Sequence, residues 1–461
     1  MSHDMNMTIL VVDDSGTMRL MFKQYLVKAG YNNIILSVDG KDAIQKLEET
    51  DNTDLIISDW NMPNMDGLEL LQWVRANEKY KEIPFMMATA QGDKTQQAKV
   101  RENGGNGHIA KPFDAVEIKK KIDDIFEGKE SAVVEQQKRD REFIDGKVLI
   151  KLAHIQITDH LILGVLKYQI ETGTVTPKHF ALKTERIAGW NPIQEKLETN
   201  NVDGAFVLAP IAMDLFAFDV PIKMVLLAHK NGSGFIRNKN YETEPSDSLK
   251  HFYKYKVVNI PHKMSIHHML AHKFLTGLGL KPGVPGKSAI DVRFEVVPPI
   301  KMPGIMKENE DVGGFIVAEP ICTKTVATGI GDMEFISATL WDSHPCCVVA
   351  LRDELINEFP DAVYELTDLL IKAGQYVNDN KEAAAEIAVN FLDPDKSMGL
   401  STEVLKKVLS QKGGITMNDL YPVKDDFQQI QNYMHNTMGI GKMINLSDFL
   451  DLRFADAALD K

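Results

Sequence analysis

Acidic residues follow two of the first apolar runs of the chain, in a pattern that suits phosphoryl transfer. Asp13 and Asp14 follow the run TILVV, and Asp59 ends the run DLIIS. If these runs are parallel strands, their carboxyl ends meet at one edge of a sheet and the three carboxylates converge. Their mutual repulsion calls for a cation, and carboxylate oxygens suit Mg²⁺. The metal would leave one carboxylate free to attack a phosphoryl group.

Two further residues are expected at the same edge. Thr89 ends the run PFMMA and can donate a hydroxyl hydrogen bond, and Lys111 follows the run GHIA and supplies a positive charge for a phosphate. An acidic pair alone after a strand is often only a helix N-cap. The whole set, in this order at successive strand ends, predicts a phosphorylated aspartate at Asp59.

The elements that must position these residues alternate between strand and helix. The apolar runs TILVV, NIILS, DLIIS, PFMMA and GHIA are typical of buried parallel strands, and helical stretches such as MRLMFKQYLVKAG lie between them. Five βα repeats predict an α/β fold with a doubly wound (βα)5 sheet over residues 1–128.

Residues 8–127 resemble the receiver domains of chemotaxis-type response regulators, on the segments VVDDSGTMR and SDWNMPNMDGLELL. The resemblance implies that a histidine kinase phosphorylates Asp59 and that Thr89 and Lys111 sense the phosphoryl group. It also implies a Mg²⁺ site formed by Asp13, Asp14, Asp59 and the backbone carbonyl of Asn61.

One position departs from the receiver pattern. Receivers usually carry Tyr or Phe three residues before the lysine, as a rotating switch residue, and this chain has His108 there. A histidine can rotate and can also charge near neutral pH. The alternative is a half-exposed strand histidine without a switch role.

Composition narrows the function classes. The 461 residues are 44% hydrophobic and 25% charged, which predicts several ordinary globular domains. A formal net charge of −13 argues against a nucleic-acid partner. Three cysteines indicate no disulfide framework, and neither a secretory signal nor a membrane span is recognisable. We therefore expect a cytoplasmic protein.

A second α/β region follows a charge-rich segment. Residues 129–146 are expected to be a linker, either helical in its own right or an extension of the last receiver helix. Residues 147–461 predict two lobes facing a cleft, with lobe 1 at about 147–235 plus C-terminal helices and lobe 2 at about 250–340. The loop NGSGFIRNKN is expected to interrupt the pattern between them.

This second region resembles the substrate-binding proteins of ABC importers for nitrate, sulfonate, taurine or bicarbonate, a periplasmic-binding-protein-like family with NMT1/THI5-like relatives. The resemblance depends on ITDHLILGVLKYQIETG, ERIAGWNPIQEKL, VDGAFVLAPIAMDL, LLAHKNGSG, SIHHMLAHKFL, VGGFIVAEP and LWDSHPCCVVALRDELINEFPDAV. It implies two α/β lobes that close over a small anionic or polar solute.

Several residues are candidates for contacts with that solute, each with an ordinary structural alternative such as packing or helix capping. Some precede or open a helix, where backbone N–H groups favour an anion; others end a strand or lie in a turn beyond one. A serine follows Asn-Gly where the family often has glutamine, which leaves the solute open. The candidates are Thr158, Asp159, Trp190, Asn231, His267, His268 and Glu319.

The segment HPCC offers His344, Cys346 and Cys347, whose thiolates and imidazole are suitable metal ligands. Adjacent cysteines on a strand are expected to point apart, and no second ligand pair has the spacing of a zinc site. Buried apolar cysteines are therefore the favoured interpretation. The longer cysteine-rich motif of thiamine-pyrimidine synthases is absent, so that reaction is not expected.

The leading hypothesis is a response regulator in which a receiver is coupled to a solute-binding sensor or output domain. The alternative is a protein-interaction module whose binding-protein fold has lost its solute and docks a signalling partner. An enzyme derived from the binding-protein fold is a third hypothesis, but the sequence contains no recognisable catalytic triad, and no enzymatic activity beyond receiver self-phosphorylation and autodephosphorylation is expected.

Overall fold

The computed structural model describes residues 6–50, 52–90, 99–111, 113, 115–127, 140–239, 249–283 and 290–459, without the side chains of residues 89, 90 and 110. The chain divides into two compact units, one made mainly of residues 1–135 and the other mainly of residues 136–461.

The first unit has one parallel five-stranded sheet with strand order β2-β1-β3-β4-β5. Its described strands and helices are β1 (Thr8–Val12), α1 (Gly16–Ala29), β2 (Asn33–Ser37), α2 (Gly40–Glu49), β3 (Leu55–Asp59), α3 (Gly67–Ala76), β4 (Phe85–Ala90), β5 (Gly107–Lys111) and α4 (Ala115–Phe126). Every residue of β1 is buried, which explains its unbroken apolar run. The predicted doubly wound α/β receiver fold is confirmed, and the order reverses between β1 and β3, where such sheets open a crevice.

Side-chain caps fix where the first unit's helices begin. Ser15 accepts a hydrogen bond from the Met18 N–H at the start of α1. Asp66 and Glu69 form a capping box at the start of α3. Both caps follow loops at the carboxyl edge of the sheet, so they fix the loops that carry the acidic residues.

The second unit contains two six-stranded sheets, one in each lobe. The first has the order β10-β17-β9-β7-β6, and β8 also pairs with β7. Its strands and helices are β6 (Phe143–Ile144), β7 (Lys147–His154), α5 (Leu161–Glu171), β8 (Phe180–Arg186), α6 (Trp190–Glu198), β9 (Gly204–Leu208), α7 (Ala209–Ala217), β10 (Ile222–Leu227) and β17 (Cys347–Arg352). Strand β17 is antiparallel to β10 and β9, because it enters the sheet from the other lobe.

The second sheet has the order β13-β14-β12-β15-β11-β16. Its strands and helices are β11 (Ser233–Asn238), α8 (Leu249–Tyr253), β12 (Val257–Ile260), α9 (Ile266–Gly277), β13 (Pro282–Gly283), β14 (Val292–Val296), α10 (Met302–Glu308), β15 (Val312–Ala318), α11 (Ile321–Ala327) and β16 (Gly331–Ile336). The predicted loop after residue 230 is corrected here, because β11 pairs with both β15 and β16. Lobe 2 therefore begins at Ser233, inside the range predicted for lobe 1.

Two crossovers join the lobes, residues 228–232 and residues 337–346. They are hydrogen-bonded to each other, since the Asn231 N–H donates to the carbonyl of His344 at 3.0 Å. The Ala228 N–H donates to the carbonyl of Cys347 at 2.9 Å. Buried backbone groups need such partners, so the paired crossovers form a defined connection between the lobes.

The C-terminal part is helical, as predicted, with α13 packed against α5 of lobe 1. Its helices are α12 (Asp353–Glu358), α13 (Pro360–Asp379), α14 (Lys381–Leu392), α15 (Thr402–Ser410), α16 (Lys424–Asn432), a π-helical turn (Tyr433–Met438), α17 (Leu446–Phe449) and α18 (Arg453–Ala458). Within the described residues, no helix combines the length and apolar character needed to cross a membrane.

The predicted linker needs one correction. Residues 129–139 lie outside the described residues, but 140–146 are not helical, because Phe143–Ile144 pairs with β7 as an antiparallel strand. Arg141 forms an ion pair with the fully buried Asp203, and its guanidinium lies over the ring of Phe359. This part of the chain is therefore packed into the second unit.

Candidate functional site

The acidic residues of the first unit meet at the carboxyl edge of its sheet. Asp13, Asp14 and Asp59 each offer an oxygen, and these atoms lie within 4.8 Å of one another. Nζ of Lys111 lies 2.5 Å from Oδ2 of Asp13 and 2.7 Å from Oδ1 of Asp59. Three carboxylates and one ammonium leave a net negative charge in a largely buried place, which suits a divalent cation.

The charge states agree with this fit to Mg²⁺. Burial raises the pKa of Asp13 to about 7, although Lys111 opposes that shift. Burial alone would lower the pKa of Lys111, but Asp13 and Asp59 outweigh it and raise that pKa, so the lysine stays charged. A bound cation would favour the ionised form of Asp13.

The other predicted receiver residues have different surroundings. Asn61 is exposed in the loop after β3, two residues beyond Asp59. Thr89 lies in β4 and pairs with Ala110 of β5, but its side chain lies outside the described residues. His108 lies in β5 opposite Met87, and burial lowers its pKa to about 4, helped by Lys121 and Arg101. The ring is therefore neutral near pH 7.

A glycine that the sequence analysis did not select positions Asp59. Gly67 begins α3, and its N–H donates to the carbonyl of Trp60 at 2.9 Å. A Cβ atom at Gly67 would lie 2.0 Å from the carbonyl oxygen of Asp59. Only glycine lets α3 approach the end of β3 this closely.

In the second unit, four buried side chains meet where the lobes join. Asp159 follows β7, His229 lies in the first crossover, Cys346 ends the second crossover, and Cys347 begins β17. Nε2 of His229 lies 2.9 Å from Oδ2 of Asp159, and the sulfurs of Cys346 and Cys347 lie 3.9 and 3.5 Å from the same oxygen. One ligand atom from each residue lies within 4.8 Å of all the others.

The expectation that the two cysteines point apart is wrong. Strand β17 begins at Cys347, so Cys346 precedes it and strand alternation does not apply. Burial alone would lower the pKa of His229, but Asp159 outweighs burial and raises it to about 10. A hydrogen bond from Cys347 lowers the pKa of Cys346, and burial raises that of Cys347.

Around this group, several fully buried polar atoms have no hydrogen-bond partner among the described residues. Thr158 is connected to the first crossover through Glu319, since the Thr158 N–H donates to the carbonyl of Glu319, and the Glu319 N–H donates to that of Gly232. Buried polar atoms in native proteins are normally satisfied by protein, water or ligand. The atoms are Thr158 Oγ1, Asp159 Oδ1, Trp190 Nε1, His229 Nδ1, Asn231 Oδ1, His267 Nδ1 and His344 Nε2.

The predicted cleft residues divide into two groups. His267 lies at the junction, with Nε2 2.9 Å from Oγ of Ser233. His268 instead pairs through Nδ1 with the carbonyl of Lys263 at 2.8 Å. Glu319 accepts hydrogen bonds from the N–H and hydroxyl of Thr323, and burial raises its pKa to about 7. His268 and Glu319 therefore find these hydrogen-bond partners within their own lobe.

His229 is the functional candidate that sequence reasoning missed. It lies in the segment LLAHKNGSG, which contributes to the resemblance to substrate-binding proteins but contains no residue predicted from its own chemistry other than Asn231. In the sequence it lies 70 residues after Asp159 and 117 residues before Cys346. The one available signal was its position directly after an apolar strand, at the carboxyl end where ligands bind.

Comparisons with known proteins match both parts of the chain. The response regulator receiver domain model matches residues 9–123, and the NMT1-like family model matches residues 146–391. Chemotaxis protein CheY-3 of Vibrio cholerae serotype O1 is 43% identical over 122 residues, covering 26% of this chain and 93% of that protein. The predicted family resemblances are therefore confirmed.

Two solved structures have the fold of the second unit. The ligand-binding component of an ABC-type import system from Staphylococcus aureus, solved with zinc bound, has a TM-score of 0.58 and 21% identity, covering 67% of this chain and 98% of that chain. The periplasmic nitrate-binding protein NrtA from Synechocystis PCC 6803 has a TM-score of 0.58 and 20% identity, covering 68% and 88%.

Proposed function

The chain belongs to the NMT1-like family and carries a receiver domain at residues 9–123, and we propose from this that it is a response regulator phosphorylated on Asp59. The observation that carries the proposal is the contact of Lys111 with both Asp13 and Asp59 inside a cluster of three carboxylates. Mg²⁺ held by Asp13, Asp14, Asp59 and the carbonyl of Asn61 would supply charge neutralisation during phosphoryl transfer.

The residues have distinct roles in this proposal. Asp59 is the nucleophile, since its side chain lies at the carboxyl end of β3 and is partly exposed to solvent. Lys111 would neutralise the phosphoryl group after transfer, because its ammonium already lies at Oδ1 of Asp59. The phosphodonor is a histidine kinase, and such a partner places the chain in the cytoplasm.

A direct test is phosphorylation of the purified chain by acetyl phosphate with Mg²⁺, measured by intact mass. One phosphoryl group should be added to the wild type and none to Asp59→Asn. Asp54→Asn is the matched control, because Asp54 precedes the same strand at its opposite end and accepts from the Thr8 N–H. A phosphoryl group on Asp59→Asn, or none on the wild type, would rule the proposal out.

We further propose that the second unit binds a small anionic or polar solute between its lobes. The support is the set of buried polar atoms that have no hydrogen-bond partner among the described residues, which includes the donor Trp190 Nε1. Thermal unfolding of the full chain with nitrate, bicarbonate and small carboxylates tests this. A stabilising solute should lose its effect in Trp190→Phe, which keeps the ring packing and removes the N–H.

Phosphorylation and solute binding would influence each other if the solute prefers one state of the protein. Solute affinity measured with and without phosphorylated Asp59 tests this coupling, and equal affinities would exclude it. If no solute stabilises the chain, the alternative gains support, in which the second unit docks a signalling protein under control of the receiver.

A further inference from the structure

The four side chains at the lobe junction form a more specific arrangement than a polar cavity. We propose that Asp159, His229, Cys346 and Cys347 bind one transition-metal ion of the zinc class. The ligand set is two sulfurs, one imidazole nitrogen and one carboxylate oxygen, all from side chains that are 0% exposed. Borderline-soft divalent metals prefer such a set, whereas Mg²⁺ and Ca²⁺ prefer oxygen ligands alone.

The separations from the Asp159 oxygen are close to those of a tetrahedral site. With bond lengths of about 2.3 Å to sulfur and 2.1 Å to nitrogen or oxygen, tetrahedral ligands lie about 3.4 to 3.8 Å apart. The oxygen of Asp159 lies 3.5 Å from Cys347 Sγ, 3.9 Å from Cys346 Sγ and 2.9 Å from His229 Nε2. Shifts of about 0.5 Å or less in these distances would accommodate the ion.

The hydrogen bonds of His229 conflict without a cation. Nε2 lies 3.2 Å from the backbone N–H of Cys347 and 2.9 Å from the Asp159 carboxylate. One ring nitrogen cannot both accept from the amide and donate to the carboxylate. A metal ion would resolve the contact with the carboxylate, because the lone pair of Nε2 and the carboxylate oxygen would both face the ion, and the Cys347 N–H would then need another acceptor.

A nucleophilic triad explains the same residues less well. In a triad the carboxylate orients the imidazole through one ring nitrogen, and the other nitrogen activates the nucleophile. Here the carboxylate approaches Nε2 and also lies near both sulfurs, while His229 Nδ1 has no partner among the described residues. Convergence of all the groups on one point favours a shared ion.

The four ligands come from three segments that the fold brings together: the turn after β7, the first crossover, and the junction of the second crossover with β17. A site with four protein ligands and no open position is of the structural type. The metal would therefore fix the connection between the lobes. This inference depends neither on phosphorylation of Asp59 nor on a solute, because its ligands all lie in the second unit.

Cobalt substitution tests the site in the full, tag-free chain. After metal removal by a chelator, and with excess Mg²⁺ present to occupy the receiver site, Co²⁺ should bind with one equivalent and produce an intense near-ultraviolet thiolate-to-metal absorption, and Zn²⁺ should displace it. Because thiols must lose their protons to bind, the titration should release protons. If the wild type lacks this thiolate absorption, the proposal is overturned, and no variant is needed for that conclusion.

Variants assign the ligands. Cys346→Ser/Cys347→Ser should weaken Zn²⁺ binding by at least about 100-fold and abolish the cobalt absorption. Cys322→Ser is the matched control, since the thiol of this third buried cysteine donates hydrogen bonds to the carbonyls of Gly234 and Val317. His229→Gln is a second ligand variant, with circular dichroism reporting folding. Tight stoichiometric binding that persists in the folded double variant would also overturn the proposal.

Discussion

The ammonium of Lys111 lies 2.7 Å from Oδ1 of Asp59, so a protein cation pairs with the carboxylate proposed to accept the phosphoryl group. The same ammonium also contacts Asp13. Lys111 and Mg²⁺ therefore compete electrostatically for these carboxylates, while both would favour a phosphoryl group on Asp59.

Lys111→Met separates these two effects. Phosphorylation of Asp59 by acetyl phosphate should slow by at least about 10-fold, because a charge-assisted contact to the phosphoryl group is lost. Mg²⁺ affinity should rise by roughly 10-fold, because a competing charge near the metal is removed. A Mg²⁺ titration followed by the fluorescence of Trp60, next to Asp59, measures the affinity. Weaker Mg²⁺ binding would contradict the competition.

Gly67→Ala should impair the receiver without removing any polar group. Its Cβ would lie 2.0 Å from the Asp59 carbonyl, so either α3 or the end of β3 must move. We expect a loss of about 2 kcal/mol in the unfolding free energy of the receiver and slower phosphorylation. Gly16→Ala is the control, since its nearest contact would be 3.8 Å away. Equal behaviour of the two variants would contradict the positioning role.

His108 should act as a neutral ring at physiological pH. Burial, with Lys121 and Arg101, lowers the pKa of His108 to about 4. The phosphorylation rate should therefore have the same pH profile in the wild type and in His108→Phe between about pH 5 and 8. An inflection near pH 6.5 present only in the wild type would show that His108 titrates there and would refute this prediction.

Glu319 should make the stability of the second unit depend on pH. Burial raises its pKa from 4.5 to about 7, so the folded state binds a proton that the unfolded chain releases. Stability is then highest below pH 4.5, falls as pH rises to about 7, and is constant above that. The loss is at most about 3 kcal/mol, from 1.36 kcal/mol per pKa unit.

Glu319→Gln should remove this pH dependence of the unfolding free energy. Compared with the wild type, the variant should therefore be more stable at pH 8 than at pH 4. Its amide oxygen can still accept from the Thr323 N–H, and its NH₂ can donate to the Thr323 hydroxyl. Urea unfolding at several pH values measures the effect. Glu310→Gln, at an exposed position of the same lobe, is the control and should keep the wild-type slope. A wild-type slope in Glu319→Gln would assign the pH dependence to another group.

Arg141→Ala tests whether the segment before β7 belongs to the second unit. It would remove the ion pair between residue 141 and the buried Asp203, while the Lys151 N–H still donates to that carboxylate. We expect a loss of about 3 kcal/mol in unfolding free energy. The control is Arg186→Ala, whose ion pair with Asp395 is exposed and should contribute little to stability. Similar small losses in both variants would place residue 141 outside the cooperative unit.

The receiver site could be predicted because its geometry follows from a local rule. Asp13, Asp59 and Lys111 follow or end parallel strands of one sheet, and such ends meet at one edge whatever the details of packing. The α/β class of both units and the helical C-terminal part were predictable for a similar reason, because hydrophobic periodicity reports local structure. The sequence thus determined the fold class and the acidic cluster.

Only the tertiary structure decided the lobe junction. The segment 231–240 is rich in glycine and asparagine, which predicts a loop, yet pairing with β15 and β16 makes residues 233–238 a strand. The neighbours of Asp159 lie 70 and more than 180 residues further along the chain. No local sequence pattern predicts which distant segments come into contact. Cys346 faces Asp159 because it precedes β17, a boundary set by pairing with β9 and β10. Long-range pairing, which depends on the whole fold, brings these side chains together.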